Sequence, residues 1–348
     1  MKKLFPPRYN ADSCAARIKG DLSVREVSME QENQILTKRW CVCLLSLVCC
    51  FLWGSAFPCV KIGYRLFQID ASDTASQLLF AGLRFSLAGV LAILFACREA
   101  KRLIAPQRSA WGRVLLLCLF QTVLQYIFFY IGMAHTSGVK GSFITASNTF
   151  IAILLSSLLL HQEQFTGRKI LGCIAGFAGV VVINLTAGGL EGGLSLKGEG
   201  FVLLAAASYA ASSVLIKQFS NRENPVVLSG YQFFVGGIVL ILIGVLFGGA
   251  LRPAAASAWI LLLYMSLISS VAYSLWSLLL KYNPVSMVTV YGFSNPLFGV
   301  LLSMLLLKEA EPVDPLRCIA ALLLVMAGIC IVNLKGKDKP AAESVEAS

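Results

Sequence analysis

A chain of 348 residues that is 57% hydrophobic and only 14% charged, with a mean hydropathy of +0.76, carries more apolar surface than a soluble domain of this size can bury. The surplus must face lipid. The formal charge of +11 raises nucleic acid as a partner, but Lys and Arg are spread over tails and short connections rather than forming a groove or an RNA-binding motif, which excludes that class and favours the membrane surface. The expected fold class is all-α integral membrane.

Residues 1–38 are polar and mixed in charge, with Pro6-Pro7. No signal-peptide apolar core follows the basic start, so this stretch reads as a disordered cytosolic tail. From Trp40 onward ten apolar runs approach the roughly 20 residues that cross a bilayer: 40–61, 77–97, 111–134, 139–161, 167–186, 198–217, 226–248, 257–281, 285–307 and 315–334. Turn formers separate them, as in Thr136-Ser137-Gly138, Asn221 to Pro225 and Asn283-Pro284, and no connection is long enough to hold a soluble catalytic domain. Basic residues such as Arg98, Lys101, Arg102, Arg108 and Arg113 gather on one side. That side is expected to be cytosolic, with both termini inside the plasma membrane. Residues 336–348 form a second expected disordered tail.

The two halves of the chain resemble each other. Ser147-Asn148-Thr149-Phe150 aligns with Ser294-Asn295-Pro296-Leu297 at an offset of 147 residues, and Tyr126 aligns with Tyr273. Trp53-Gly54-Ser55 lies on Tyr209-Ala210-Ala211, and Arg84-Phe85 on Gln232-Phe233. The order is shared along both halves, which predicts two five-helix units, 39–187 and 195–335. Five is odd, so the second copy enters the membrane from the opposite face. Ten helices as two inverted five-helix repeats is the architecture of alternating-access transporters, with the site near the midplane between the halves.

These motifs resemble the EamA-type family of the drug/metabolite transporter superfamily. The resemblance rests on Leu52-Trp53-Gly54-Ser55-Ala56-Phe57, Leu83-Arg84-Phe85, Ser294-Asn295-Pro296, and Glu163 followed by Gly172 and Gly179, and it covers about residues 40 to 335. It implies ten helices in two repeats and the movement of amino acids, other metabolites or toxic compounds. Two positions depart from the family pattern. Thr149 stands where the fourth helix normally has proline, and the acidic residue after the ninth helix is Glu309 or Glu311.

Arg84 is the one charge well inside a predicted span. An arginine at that depth costs roughly 3 kcal/mol on insertion scales and marks a functional position by default. It either ties helices together by bonding carbonyls or binds an anionic group. Asn148 and Asn295 lie mid-span, where an amide must face a cavity or another helix. Pro296 frees a carbonyl one turn earlier and is a candidate hinge. Trp53, Tyr126, Tyr209 and Tyr273 are mid-span aromatics with polar handles, suited to stacking and orienting an organic substrate. Tyr130, Gln121, Gln125 and Gln232 are weaker members of the set. The glycines 172, 176 and 179 suggest close helix packing. His135 and His161 fall at opposite span ends and cannot form a metal pair. Most cysteines lie in apolar runs, among them Cys41, Cys43, Cys49, Cys50, Cys59, Cys118, Cys173 and Cys330, and read as buried thiols.

No P-loop, H-E-x-x-H or G-x-S-x-G motif occurs, and no Asp or Glu falls in a span interior. No cofactor or metal is expected. The expected function is a secondary, non-ATP exporter of a small organic metabolite. Its partners are that substrate and the lipid bilayer, with no nucleic acid. The alternative is an integral membrane enzyme acting on lipid-linked or small substrates.

Overall fold

The computed structural model describes residues 35–136, 138–160, 162–164, 166–184, 195–307 and 315–334. The bulk of the two tails, the 187–194 connection, His161, and both Glu309 and Glu311 lie outside the described residues. The described chain runs through α1 (Arg39–Leu66), α2 (Thr74–Ala100), α3 (Arg108–Ala134), α4 (Gly138–Leu154), α5 (Gly167–Asn184), α6 (Leu196–Phe219), α7 (Pro225–Leu246), α8 (Ala256–Tyr282), α9 (Val285–Leu307) and α10 (Pro315–Asn333). Seven of these, namely α1, α2, α3, α6, α7, α8 and α9, are long and apolar enough to cross a membrane. Shorter apolar helical stretches run over Ile144–Leu158 and Leu323–Asn333. Large apolar side chains face outward on helix after helix, including Leu94, Leu171, Ile260, Leu305 and Leu323. Such a surface is stable only against lipid. The fold is all-α and membrane-embedded.

Local chemistry sets the helix ends. Asp73 caps α2 by accepting from Ser76 N, and Asn224 caps α7 by accepting from Val226 N and Val227 N, with Pro225 in the first turn. Because α2 begins at Thr74 and not near Gln77, Arg84 stands ten residues in, about 15 Å along the axis. This is deeper than the sequence suggests. Several helices are not uniform, and two of the irregular stretches fall inside spans. α3 contains a π-helical stretch at Cys118–Leu124, and a 3₁₀ turn at Val290–Phe293 interrupts α9 just before Pro296.

α2 and α7 cross antiparallel in the most extensive helix pair. Gly82 lies against Gly237 and Ile241, Gly89 against Gly230 and Phe234, and Ala75 against Gly244 and Gly249. α5 and α10 pair in the same way, with Gly172 against Gly328 and Val332, and Arg168 donates to Leu334 O at 3.1 Å. Gly176 meets the Phe293 ring. α1 packs on α8 and α9, while α6 packs on α3 and α4, so exchanging the halves maps one set of neighbours onto the other.

Two large apolar clusters fill the interior, with a small third at Ala96, Val226 and Val227. One joins the early part of α1 (Val42, Cys49, Cys50) with the late part of α8 and with α9. The other joins the late part of α1 (Phe57, Val60, Tyr64) with the early parts of α2 and α8 and the end of α3. Trp53 packs against both. Among the named cysteines Cys41, Cys49, Cys50, Cys59, Cys118 and Cys173 are buried as expected of small hydrophobes, whereas Cys43 is half-buried and Cys330 is exposed on the outer face of α10.

Candidate functional site

A cavity opens where the two clusters meet. About 70 Å³ of it is open to the centres of water molecules, room for several waters or a small organic group. Its wall includes Trp53 and Phe57 from α1, Arg84 from α2, Gln125, Tyr126 and Phe129 from α3, Thr145 and Asn148 from α4, Tyr209 from α6, Tyr273 and Trp276 from α8, and Gly292 and Asn295 from α9. All seven residues singled out in the sequence, Trp53, Arg84, Tyr126, Asn148, Tyr209, Tyr273 and Asn295, border this one space.

Aromatic edges build most of the wall. The Trp53 ring stands 4.9 Å from Trp276, 5.0 Å from Tyr273 and 5.9 Å from Tyr209, all edge to face. Such offsets are favoured by the ring quadrupoles. The hydroxyls of Tyr126 and Tyr273 meet at 2.5 Å, and Gln125 Nε2 donates to Tyr273 Oη at 3.4 Å.

Arg84 is 2% exposed. Its guanidinium donates from Nε to Met265 O at 3.3 Å, from Nη1 to Tyr130 Oη at 3.0 Å and from Nη2 to Ser269 Oγ at 2.9 Å. These bonds tie α2 to α3 and α8 and exclude snorkelling to the membrane surface. Among the described residues, no Asp or Glu forms part of the cavity wall.

α4 and α9 meet at the same level. Thr149 Oγ1 lies 3.0 Å from Thr289 O and 3.2 Å from Asn148 Oδ1. The hydroxyl that replaces proline in α4 thus serves the loosened turn of α9. Cys50 Sγ donates to Tyr291 O at 3.2 Å in the same turn. Beside it, Asn295 Oδ1 is buried with no hydrogen-bond partner, and so are Trp53 Nε1, Trp276 Nε1, Tyr209 Oη and Gln125 Oε1. Buried polar groups are normally paired, so these five atoms around one cavity leave hydrogen-bonding capacity open to whatever occupies it.

Among the described residues no group of His, Cys, Asp and Glu could hold a metal ion. His135 is exposed at the end of α3, its Nδ1 2.9 Å from Ile131 O. Of the weaker candidates, Gln125 borders the cavity and Tyr130 holds Arg84. Gln232 accepts from Thr122 Oγ1, and Gln121 leaves Oε1 buried and unpaired away from the cavity wall. Sequence reading missed Phe57, Phe129, Thr145 and Trp276. Helical spacing carried the signal, since Phe57 follows Trp53 by four positions and Trp276 follows Tyr273 by three, on the same helix face.

The profile of the EamA-like transporter family matches this chain twice, over residues 40–185 and 196–334. The uncharacterized transporter YvbV of Bacillus subtilis is 28% identical over 293 residues, covering 84% of this chain and 91% of its own. A WAT1-related chloroplastic protein of Arabidopsis thaliana is 26% identical over 299 residues, covering 83% of this chain and 68% of its own. A solved structure, described only as the crystal structure of a protein, superposes with a TM-score of 0.66 at 18% identity, over 84% of this chain and 98% of its own, and shares the fold. With the profile spanning nearly all the helical part, this chain belongs to the EamA-like transporter family and is a multi-pass membrane transporter rather than an enzyme.

Proposed function

We propose that the protein is a secondary transporter that exports a small organic metabolite by alternating access, and that the cavity bounded by Trp53, Arg84, Tyr126, Asn148, Tyr209, Tyr273 and Asn295 is its substrate site. The observation that carries this reading is the convergence of equivalent residues. Tyr126 with Tyr273, Asn148 with Asn295, and Trp53 with Tyr209 come from matching positions of the two halves and border one space. Only near a pseudo-twofold axis can both halves hold one ligand while rocking about it. The apolar clusters on either side of the cavity are suited to act as alternate seals. Pro296, next to the 3₁₀ turn of α9, is the hinge of this scheme. In it ten helices form two inverted repeats, 39–187 and 195–335, in the plasma membrane with both ends in the cytosol. The antiparallel crossing of α2 with α7 and of α5 with α10 supports the inversion.

Two experiments test this. A reporter fused to the C-terminus and active only outside the cytosol should be silent; activity would overturn the inverted-repeat scheme. Purified protein in proteoliposomes should move a solute found by comparing metabolites of cells with and without the protein, and Asn295→Ala should raise the half-saturation concentration. Movement unaffected by changes at every one of the seven residues would relocate the site.

A further inference from the structure

We infer that the cavity takes a small organic anion, a carboxylate carried on a planar apolar body, and that Arg84 holds the carboxylate. The inference rests on the cavity being the substrate site and adds the charge and shape of what fills it. The two halves supply a built-in comparison. Arg84 of α2 bonds Ser269 of α8. At the matching positions of the other half, Gln232 of α7 bonds Thr122 of α3. A neutral amide therefore ties the equivalent pair of helices, α7 and α3, accepting there where Arg84 donates. Holding α2 against α8 does not require a cation, and the charge of Arg84 is surplus to that task.

The hydrogen-bond inventory points the same way. Arginine carries five N–H donors and no acceptor, and three of Arg84's are used within the protein, which leaves two on a side chain that borders the cavity. Trp53 Nε1, Trp276 Nε1 and Tyr209 Oη are further unpaired donors. In the bond between Tyr126 and Tyr273 one hydroxyl proton is shared, so the other stays free whichever residue donates. Unpaired acceptors are fewer, Gln125 Oε1 and Asn295 Oδ1. A space with excess donors, a buried positive charge and, among the described residues, no carboxylate in its wall is complemented by a ligand rich in acceptors and negative. A carboxylate accepts only and has about four lone-pair sites. The aromatic edges around Trp53 suit a flat apolar body. An added ammonium would be repelled by Arg84 and would find few acceptors.

The test uses benzoate, its uncharged isostere benzamide, and the zwitterion phenylglycine. Each is titrated by calorimetry into the full-length protein in detergent and low-salt buffer, with chloride as the inorganic control. Benzoate should bind at least about tenfold more tightly than benzamide or phenylglycine. Arg84→Gln, which copies the residue at the matching position 232, should keep the protein folded and bring the benzoate-to-benzamide ratio close to one. Tyr209→Phe removes a donor without changing the fold, and should weaken benzoate several-fold while moving benzamide less. Equal binding of acid and amide, tighter binding of phenylglycine, equal effect of chloride alone, or no binding of benzoate up to about 10 mM would each overturn the inference. Anion binding without uptake in proteoliposomes would retire the transport reading of the cavity and leave this one standing. Uptake of solutes with no preference for anions would do the reverse.

Discussion

The hydroxyl of Tyr126 in α3 meets the hydroxyl of Tyr273 in α8 at 2.5 Å, and the two residues stand 147 positions apart, the offset that aligns the halves of the sequence. A side-chain bond between equivalent positions joins the halves at the cavity. Removing one hydroxyl leaves its partner buried and unpaired, which costs about 1–3 kcal/mol. Tyr126→Phe and Tyr273→Phe should each lower thermal stability, and the double variant should lose less than the sum, with a coupling of about 1 kcal/mol. Additive losses would mean that the hydroxyls do not depend on each other.

The two asparagines should differ in effect. Asn295 Oδ1 has no partner, whereas Asn148 Oδ1 is 3.2 Å from Thr149 Oγ1. Asn295→Ala should raise the half-saturation concentration about tenfold, the equivalent of about 1.4 kcal/mol, and Asn148→Ala by less. The double variant should be non-additive if both amides hold one ligand. Unchanged half-saturation in both single variants would reduce them to helix contacts.

The α2–α7 crossing leaves no room for side chains. A Cβ at Gly82 would fall 2.6 Å from Ile241 N and 2.8 Å from Gly237 O, and backbone cannot move aside as a flexible side chain can. Gly82→Val should cost more than the about 1–3 kcal/mol typical of overpacking and abolish folded protein on size-exclusion chromatography. Gly112→Ala is the control. Nothing lies within 4 Å of its added Cβ, and yield should be unchanged.

Glu163 caps a helix that is not its own. Its carboxylate accepts from Ser286 N at 3.0 Å and Ser286 Oγ at 2.5 Å, in the first turn of α9, and pairs with Lys169 Nζ at 2.7 Å. An N-cap of this kind is worth about 1 kcal/mol, more when the acceptor is charged and buried. Glu163→Ala should lower the melting temperature measurably, and Glu163→Gln, which keeps an acceptor for Ser286, should lower it less. Equal losses would assign the effect to Lys169 alone.

Much of the fold was legible because its causes are local. The predicted runs and the observed helices agree at most ends, since apolar length and turn formers act residue by residue. The exceptions have causes that hydropathy does not register. The π-helical stretch at Cys118–Leu124 leaves no mark in composition. The early start of α2 comes from the cap at Asp73, which hydropathy does not weigh. Trp276 was overlooked although it lies one helical turn from Tyr273, because a lone apolar aromatic in a span is ordinarily packing.

The sequence by itself determined the class of molecule and which mid-depth side chains are costly enough to demand a purpose. These follow from transfer free energies and periodicity, which each segment carries alone. Only the tertiary structure decided which of those side chains satisfy one another and which do not. Arg84 might have spent all its donors on carbonyls; the packing of α3 and α8 against it takes three. Tyr209, Trp53 and Asn295 might have bonded neighbouring helices, and the crossing geometry leaves them facing a void. Periodicity fixes the face of a helix on which a residue lies. The neighbour opposite that face is set by how closely glycines let backbones approach and how side chains interdigitate, and those are properties of pairs of helices, not of any one of them.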